Sequence, residues 1–298
     1  METEITVESD GLRLGTTYLR AEDESLAGPG GRPCVVMAHG FGATRDSGLR
    51  PFAEAFTAAG ADVLLVDYRG FADSEGPTRR HVDHRAHRRD YHAAVARARL
   101  IDGVDPERIV LWGSSYSGGH VVAVAAADRR IAGVISQGAA MDGLGALVEI
   151  LRYGGPWQLL KVSAHAIADA VGHALGRPEH RVAIYGPPGA VAAITSPDAE
   201  SGYGSIVGPS FVNDMPARDI LTIPFNRPVT AAPEVRCPML LVVAASDSIA
   251  PPAAVRKVAA TAGGPVETVE IDCGHFDIYL GEPFATSVER QVAFVRSM

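Results

Sequence analysis

Short apolar runs rich in β-branched residues alternate along this chain with longer stretches of helical periodicity, and that alternation constrains the fold more than any other feature. It is the signature of βαβ units, in which helices cover both faces of a largely parallel sheet. The runs are residues 34–38, 63–67, 109–112, 133–136, 239–244 and 266–271. Each reads as a strand apolar enough to be covered on both sides. Helical patterns lie between them, at 49–59, 84–100, 118–127, 253–262 and 283–296. Gly60, Gly103 and Gly263 follow three of these, in the place of a C-terminal cap. Ahead of the first unit, two alternating stretches (4–8 and 12–19) flank Ser9-Asp10-Gly11, which reads as a hairpin.

Composition narrows the class. With 298 residues, 47% hydrophobic and 21% charged, the chain is ordinary globular α/β material that needs no staples. Its three cysteines, Cys34, Cys237 and Cys273, are odd in number and far apart, so neither a disulfide framework nor a cysteine-based zinc site fits. The acidic start METEITVESD has no basic or apolar segment of a signal peptide, and no apolar run reaches the length of a membrane span. A cytoplasmic location without a membrane span is therefore expected. The net charge of −8 argues against nucleic acid as a partner. The alternation breaks between about 140 and 232, where Gly154-Gly155-Pro156, Gly186-Pro187-Pro188-Gly189 and Gly208-Pro209 punctuate a stretch with no clear strand. The expected layout is a core from 1–139 and 233–298, with a helical cap of 140–232 inserted over the sheet.

The sharpest local signal runs from Ile109 to Val121: an apolar strand, then Gly113-Ser114-Ser115-Tyr116-Ser117-Gly118-Gly119, then a helix. A nucleophile elbow needs this context, because the chain turns so tightly that positions two before and two after the nucleophile must be small. Ser115 is then the apex. Ser117 stands where glycine is usual, and it offers a rival frame as nucleophile. The bland alternative is a serine-rich helix start capping its own N–H groups.

Two further residues weaken that alternative. The apolar strand 239–244 leads to Asp247, and the strand 266–271 leads to His275. Each acid or base thus falls on a loop at a strand C-terminus, where parallel sheets bind ligands. A serine hydroxyl is a weak nucleophile until a neutral histidine takes its proton, and a carboxylate fixes the histidine tautomer. Asp142 and Asp277 are the competing acids. The strand 34–38 runs into His39-Gly40-Phe41-Gly42, a loop able to give a backbone N–H to an oxyanion. Phe41 and Tyr116 are the expected oxyanion-hole donors, with His39 positioning the loop.

Together, His39-Gly-Phe-Gly, Asp67-Tyr-Arg-Gly-Phe-Ala-Asp-Ser74, the Ser115 elbow, Asp247 and Gly274-His-Phe-Asp-Ile-Tyr279 resemble the α/β-hydrolase superfamily over nearly the whole chain. The Gly-Pro-Pro-Gly189 turn and the His-Phe-Asp-Ile-Tyr ending are similar to a bacterial and fungal group of esterases and thiohydrolases that includes polyketide-associated acyl hydrolases and transferases. Ala72 and Ser117 depart from the usual pattern. The resemblance implies an α/β-hydrolase fold with a mostly parallel eight-stranded sheet, a helical cap, no cofactor, no metal and an acyl-enzyme route.

The expected activity is that of a serine hydrolase cleaving an ester or thioester of a bulky hydrophobic acyl compound. A polyketide-type acyltransferase using the same site is the first alternative, and a non-catalytic ligand-binding protein on this fold is the second. Tyr153, Trp157 and Phe211 are the expected substrate contacts, on helices at 144–153 and 157–175 and the loop beyond. Packing in a homodimer is the competing use of the cap. From Arg79 to Arg99 the chain carries seven arginines and four histidines, expected mainly as a solvated basic helix face. An acidic carrier protein is the partner that this run could dock, and His84 with His87 a weaker metal pair.

Overall fold

A computed structural model of the protein describes residues 2–298. The chain opens with β1 (Glu2–Thr3), β2 (Val7–Ser9), β3 (Leu12–Leu14) and β4 (Thr16–Leu19). Then follow β5 (Arg32–Ala38), α1 (Arg50–Ala58), β6 (Asp62–Val66), α2 (His84–Ala98), β7 (Val104–Ser114), α3 (Tyr116–Ala127) and β8 (Gly133–Gln137). The inserted segment contributes α4 (Gly143–Ala174), β9 (Arg181–Tyr185), β10 (Ala192–Ile194), α5 (Ala199–Ile206) and β11 (Met215–Pro216). The core resumes with β12 (Met239–Ala244), α6 (Pro252–Thr261), β13 (Val266–Ile271) and α7 (Gly281–Arg296).

Eight strands form one sheet in the order β1-β4-β6-β5-β7-β8-β12-β13. The two pairings made by β4 are antiparallel and the other five are parallel. The two-residue period of a strand decides which side each residue serves. Val36, Leu64, Leu111 and Leu241 pack on one face with Tyr91 and Ala94 of α2, Val121 of α3 and Val255 of α6. Val35, Val63, Val110 and Leu240 pack on the other with Phe52 and Phe56 of α1 and Phe294 of α7. The expected α/β-hydrolase architecture is thus the observed one.

The first hairpin forms as the sequence predicts. β2 pairs with β3, and Asp10 and Gly11 at the turn both have positive φ, 51° and 76°, the combination that an Asp-Gly turn supplies. Two strand expectations need correction. The run 12–19 is broken into β3 and β4. The residues of β13, Val-Glu-Thr-Val-Glu-Ile, are half-buried or exposed, because this strand closes the sheet edge and pairs only with β12. Its two glutamates discourage further edge pairing.

The insert also departs from expectation. It contains a small sheet in the order β10-β9-β11, where no strand was expected. Its long helix α4 unites the two expected helices across a kink at Gly155 (φ 69°, ψ 177°). A residue before proline avoids helical geometry, and Pro156 supplies that constraint.

Candidate active site

Ser115 lies between the end of β7 and the start of α3, with φ 58° and ψ −118°. This is strained backbone for a residue with a Cβ. The strain follows from how tightly the chain folds back: a side chain at Gly113 would meet the Ser117 carbonyl oxygen at 2.3 Å. The turn is tied from both sides. Ser115 N–H donates to Gln137 O (2.9 Å), and Ala140 N–H donates to Ser115 O (2.9 Å). Ser117 faces inward. Its fully buried hydroxyl accepts from Ser114 N–H (2.9 Å) and reaches Ala38 O (2.8 Å), so it braces the elbow and leaves the apex to Ser115.

The His275 Nε2 atom is 3.0 Å from Ser115 Oγ, and His275 Nδ1 is 2.6 Å from Asp247 Oδ2. The Nδ1–H donates to the carboxylate, which fixes the tautomer and leaves Nε2 to accept from the serine hydroxyl. Asp247 is itself fixed by the Ile249 and Ala250 N–H groups, each 2.8 Å from Oδ1. Burial pulls the His275 imidazole down, but the charge and hydrogen bond of Asp247, with Asp198 beyond, more than offset it and leave the pKa raised. The competing acids are engaged elsewhere. Asp142 caps α4 by accepting from Leu144 N–H and pairs with Arg227 at 2.8 Å. Asp277 accepts from Gly274 N–H (2.8 Å) and so steadies the loop that carries His275.

The loop after β5 passes beside the serine: a side chain at Gly40 would come within 3.2 Å of Ser115 Cβ. Among the described residues, neither Phe41 N–H nor Tyr116 N–H has a hydrogen-bond acceptor. Two free donors beside a serine hydroxyl can stabilise a developing oxyanion. His39 is fully buried beneath this loop, its ring bonded to Gly40 O at 3.0 Å, and burial pushes it down to about 4. A neutral wedge, not a second base, is what such a histidine provides.

A pocket with a cavity volume of about 70 Å³ opens from Ser115 under the insert. Its walls include Tyr116, Ile150, Tyr153, Ile194, Ile223 and Ile249. Of the three expected substrate contacts, Tyr153 lies in the wall. Trp157 does not: it is 74% exposed on the outer side of α4, because the kink at Gly155 turns the following Gln158 inward instead. Phe211 packs within the insert on Tyr185 and Tyr203, with centroids 5.9 and 5.6 Å away.

Sequence reasoning missed several contributors. The Ile194 wall comes from the unexpected small sheet. Tyr203 donates to the Phe41 carbonyl, and Tyr279 donates to Ser114 Oγ at 2.6 Å. Tyr279 stood in plain view in the His-Phe-Asp-Ile-Tyr ending, but nothing local told what it would touch. Asn226 accepts from Arg88 at 2.5 Å and lines the pocket. The basic run is solvated in part, as expected, with Arg79, Arg85 and Arg89 exposed. Arg79, Arg80, Arg88, Arg89, Arg97 and Arg99 all bond within the chain. His87 stacks on Tyr68 at 4.1 Å.

Known proteins share the family and the fold. Residues 33–282 match the alpha/beta hydrolase fold family. The quorum-quenching protein AidA of Acinetobacter baumannii (strain MDR-ZJ06) is 38% identical over 266 residues, covering 89% of this chain and 86% of that protein. The thiohydrolase aneE of Aspergillus aculeatus is 41% identical over 128 residues, 43% of this chain and 38% of that one. In three dimensions, the alpha/beta hydrolase GrgF from Penicillium sp. superimposes with a TM-score of 0.80 at 20% identity, covering 100% of this chain and 98% of that one. Among the described residues no helix is long and apolar enough to cross a membrane. With most of its length inside the match and relatives named as a thiohydrolase and polyketide transferases, the chain belongs to the alpha/beta hydrolase fold family.

Proposed function

We propose that the protein is a serine hydrolase that cleaves an ester or thioester of a bulky apolar acyl group. The observation that carries this reading is the unbroken hydrogen-bonded chain from Ser115 through His275 to Asp247, opening into a pocket walled by isoleucines and tyrosine. Ser115 Oγ attacks the acyl carbon while His275 Nε2 takes the hydroxyl proton. The negative charge that develops on the carbonyl oxygen is met by the Phe41 and Tyr116 N–H groups. His275 then passes its proton to the departing alcohol or thiol, and the acyl-enzyme forms. Water, deprotonated by His275, attacks the acyl carbon in turn, and the acid leaves as Ser115 recovers its proton. No metal or cofactor enters this route.

The insert acts as the cap that selects the acyl chain. It supplies Ile150, Tyr153, Ile194 and Ile223 to the pocket wall, while the core supplies the reacting groups. Burying an apolar chain against such a wall contributes about 0.8 kcal/mol per methylene, so kcat/KM should climb with chain length until the pocket is full.

Acyl transfer from the same acyl-enzyme is the second reading, favoured by the likeness to proteins named polyketide transferases. There an alcohol or amine replaces water in the second half-reaction. The test is a series of p-nitrophenyl esters and acyl thioesters of rising chain length, assayed with and without an alcohol acceptor, alongside fluorophosphonate labelling. Labelling of the wild type but not of Ser115→Ala, with turnover of the longer substrates, is the expected result. A wild-type chain that neither labels nor turns over any member would overturn the reading.

A further inference from the structure

The second half of α4, beyond the kink at Gly155, has a buried face and an apolar face on opposite sides. One is accounted for: Gln158, Val162, Ala166 and Asp169 are buried against the rest of the insert. The other points to solvent. Trp157 is 74% exposed, Leu160 58%, Ile167 54% and Val171 54%, and Ala164 and Ala174 on the same side are exposed too.

These six residues are spaced three, four, three, four and three apart. That is the alternation of a coiled-coil seam, in which first and fourth positions of each heptad face a partner helix. Trp157, Ala164 and Val171 occupy the first positions, and Leu160, Ile167 and Ala174 the fourth. A solvated helix has no reason to hold this register, and exposed apolar patches of such size mark contact sites.

We propose that this seam pairs with the same seam of a second copy, the two helices running antiparallel. Antiparallel coiled coils match a first position of one helix with a fourth position of the other. Centred between Ala164 and Ile167, that pairing sets Trp157 opposite Ala174, Leu160 opposite Val171 and Ala164 opposite Ile167 of the second copy. Every layer then joins a larger side chain to a smaller one, the arrangement that fills an interface evenly. A parallel pairing would set tryptophan on tryptophan and alanine on alanine, leaving a clash beside a void. The sequence of the seam is therefore complementary to itself in one direction only, as a two-fold interface requires.

The flanks agree. Ser163, Ala168 and Ala170 beside the seam are small and allow close approach. Lys161 is drawn back to the Gly189 carbonyl, and Asp169 is held by Arg218 at 3.0 Å. The charges beside the stripe are few, Lys161 and Arg177, where an anionic lipid surface is bound through a face rich in Lys and Arg. Leu144, Val148 and Leu151, also exposed on the first half of α4, extend the apolar surface toward the ~800 Å² per partner of a standard interface.

Light scattering coupled to size exclusion, run on the full chain, tests the pairing. The wild type is expected at the mass of two chains. Leu160→Glu and Ile167→Glu should each shift it to one chain, with the dimer dissociation constant raised by about 30-fold or more, as for a central interface residue. Leu100→Glu, at a still more exposed leucine (76%) after α2, should leave the dimer intact. The double variant Leu160→Glu/Val171→Lys should dimerise again, because the opposite charges meet only across the antiparallel interface. Circular dichroism melts and fluorophosphonate labelling verify that each variant is folded. A monomeric wild type overturns the proposal, as does a Leu160→Glu variant that stays dimeric. Failure of the double variant to recover overturns the antiparallel pairing. A wild type that is monomeric yet floats with phosphatidylglycerol vesicles would assign the seam to lipid instead.

Discussion

The Tyr203 hydroxyl, carried by the insert, donates its hydrogen bond to the backbone carbonyl of Phe41 on the loop beside Ser115. Insert and core thus meet at the residue whose N–H is proposed to stabilise the oxyanion. Tyr203→Phe keeps the ring stacked on Tyr185, with centroids 4.6 Å apart, and deletes only that bond. Leaving a buried carbonyl unpaired costs roughly 1–3 kcal/mol. The expected result is kcat lowered about tenfold at nearly constant KM, as for loss of an interaction made in the transition state. A fall in melting temperature with unchanged kcat would reduce the bond to a structural one.

Ser115 and Ser117 should separate cleanly. Ser115→Ala is expected to lower kcat by about 10⁴ to 10⁶ and to abolish labelling. Ser117→Ala should keep labelling but lose roughly 1 kcal/mol of stability, because its hydroxyl ties Ser114 to Ala38. Mass spectrometry of the labelled chain and a urea titration read the two effects. The opposite pattern would move the nucleophile to Ser117.

Asp247→Asn should lower kcat by roughly 10⁴, since the amide cannot hold His275 in the tautomer that leaves Nε2 free. Asp142→Asn should change it by less than threefold, because that carboxylate serves the helix start and a half-exposed ion pair with Arg227, worth at most ~1 kcal/mol. Comparable losses in both variants would leave Asp247 without a special role.

The pH profile carries a sign that the geometry sets. His275 must be neutral to take the serine proton, and its pKa is raised above the ordinary 6.5. Activity should therefore rise with pH along a limb lying above that of free imidazole. Stability responds in reverse: protonated His275 is favoured by the fold, so its contribution is full below the unfolded value and lost as pH rises through the raised one. Initial rates and melts across pH 5 to 9 (a range of about four units around the imidazole value) read both. A limb at or below free imidazole would show that the Asp247 field does not prevail over burial.

Much of this candidate site was legible in the sequence because each of its three residues follows a strand of the main sheet. Asp247 follows a run whose apolar character marks it as sheet, His275 follows a β-branched edge run, and Ser115 sits where small residues allow a sharp turn. The Asp10-Gly11 hairpin was legible for a similar reason, since two positive φ values admit few residue pairs. The pocket wall was not. β9, β10 and β11 are five, three and two residues long, too short for periodicity to stand out among the surrounding glycines and prolines. Trp157 was misplaced because an aromatic residue near a pocket can face either side of its helix. Which side it faces depends on the rotation introduced at Gly155, and that depends on packing across the whole insert.

The backbone of Ser115 has a consequence for how such a chain evolves. A non-glycine residue at φ 58° and ψ −118° holds on the order of 1–3 kcal/mol of conformational strain, a sizeable part of a typical folding free energy. Glycine at that position would relax it, so selection for thermal endurance alone would erase the serine. The hydroxyl is therefore held at a cost in durability. Any laboratory lineage of this protein bred only for heat resistance should drift toward inert descendants through this one codon.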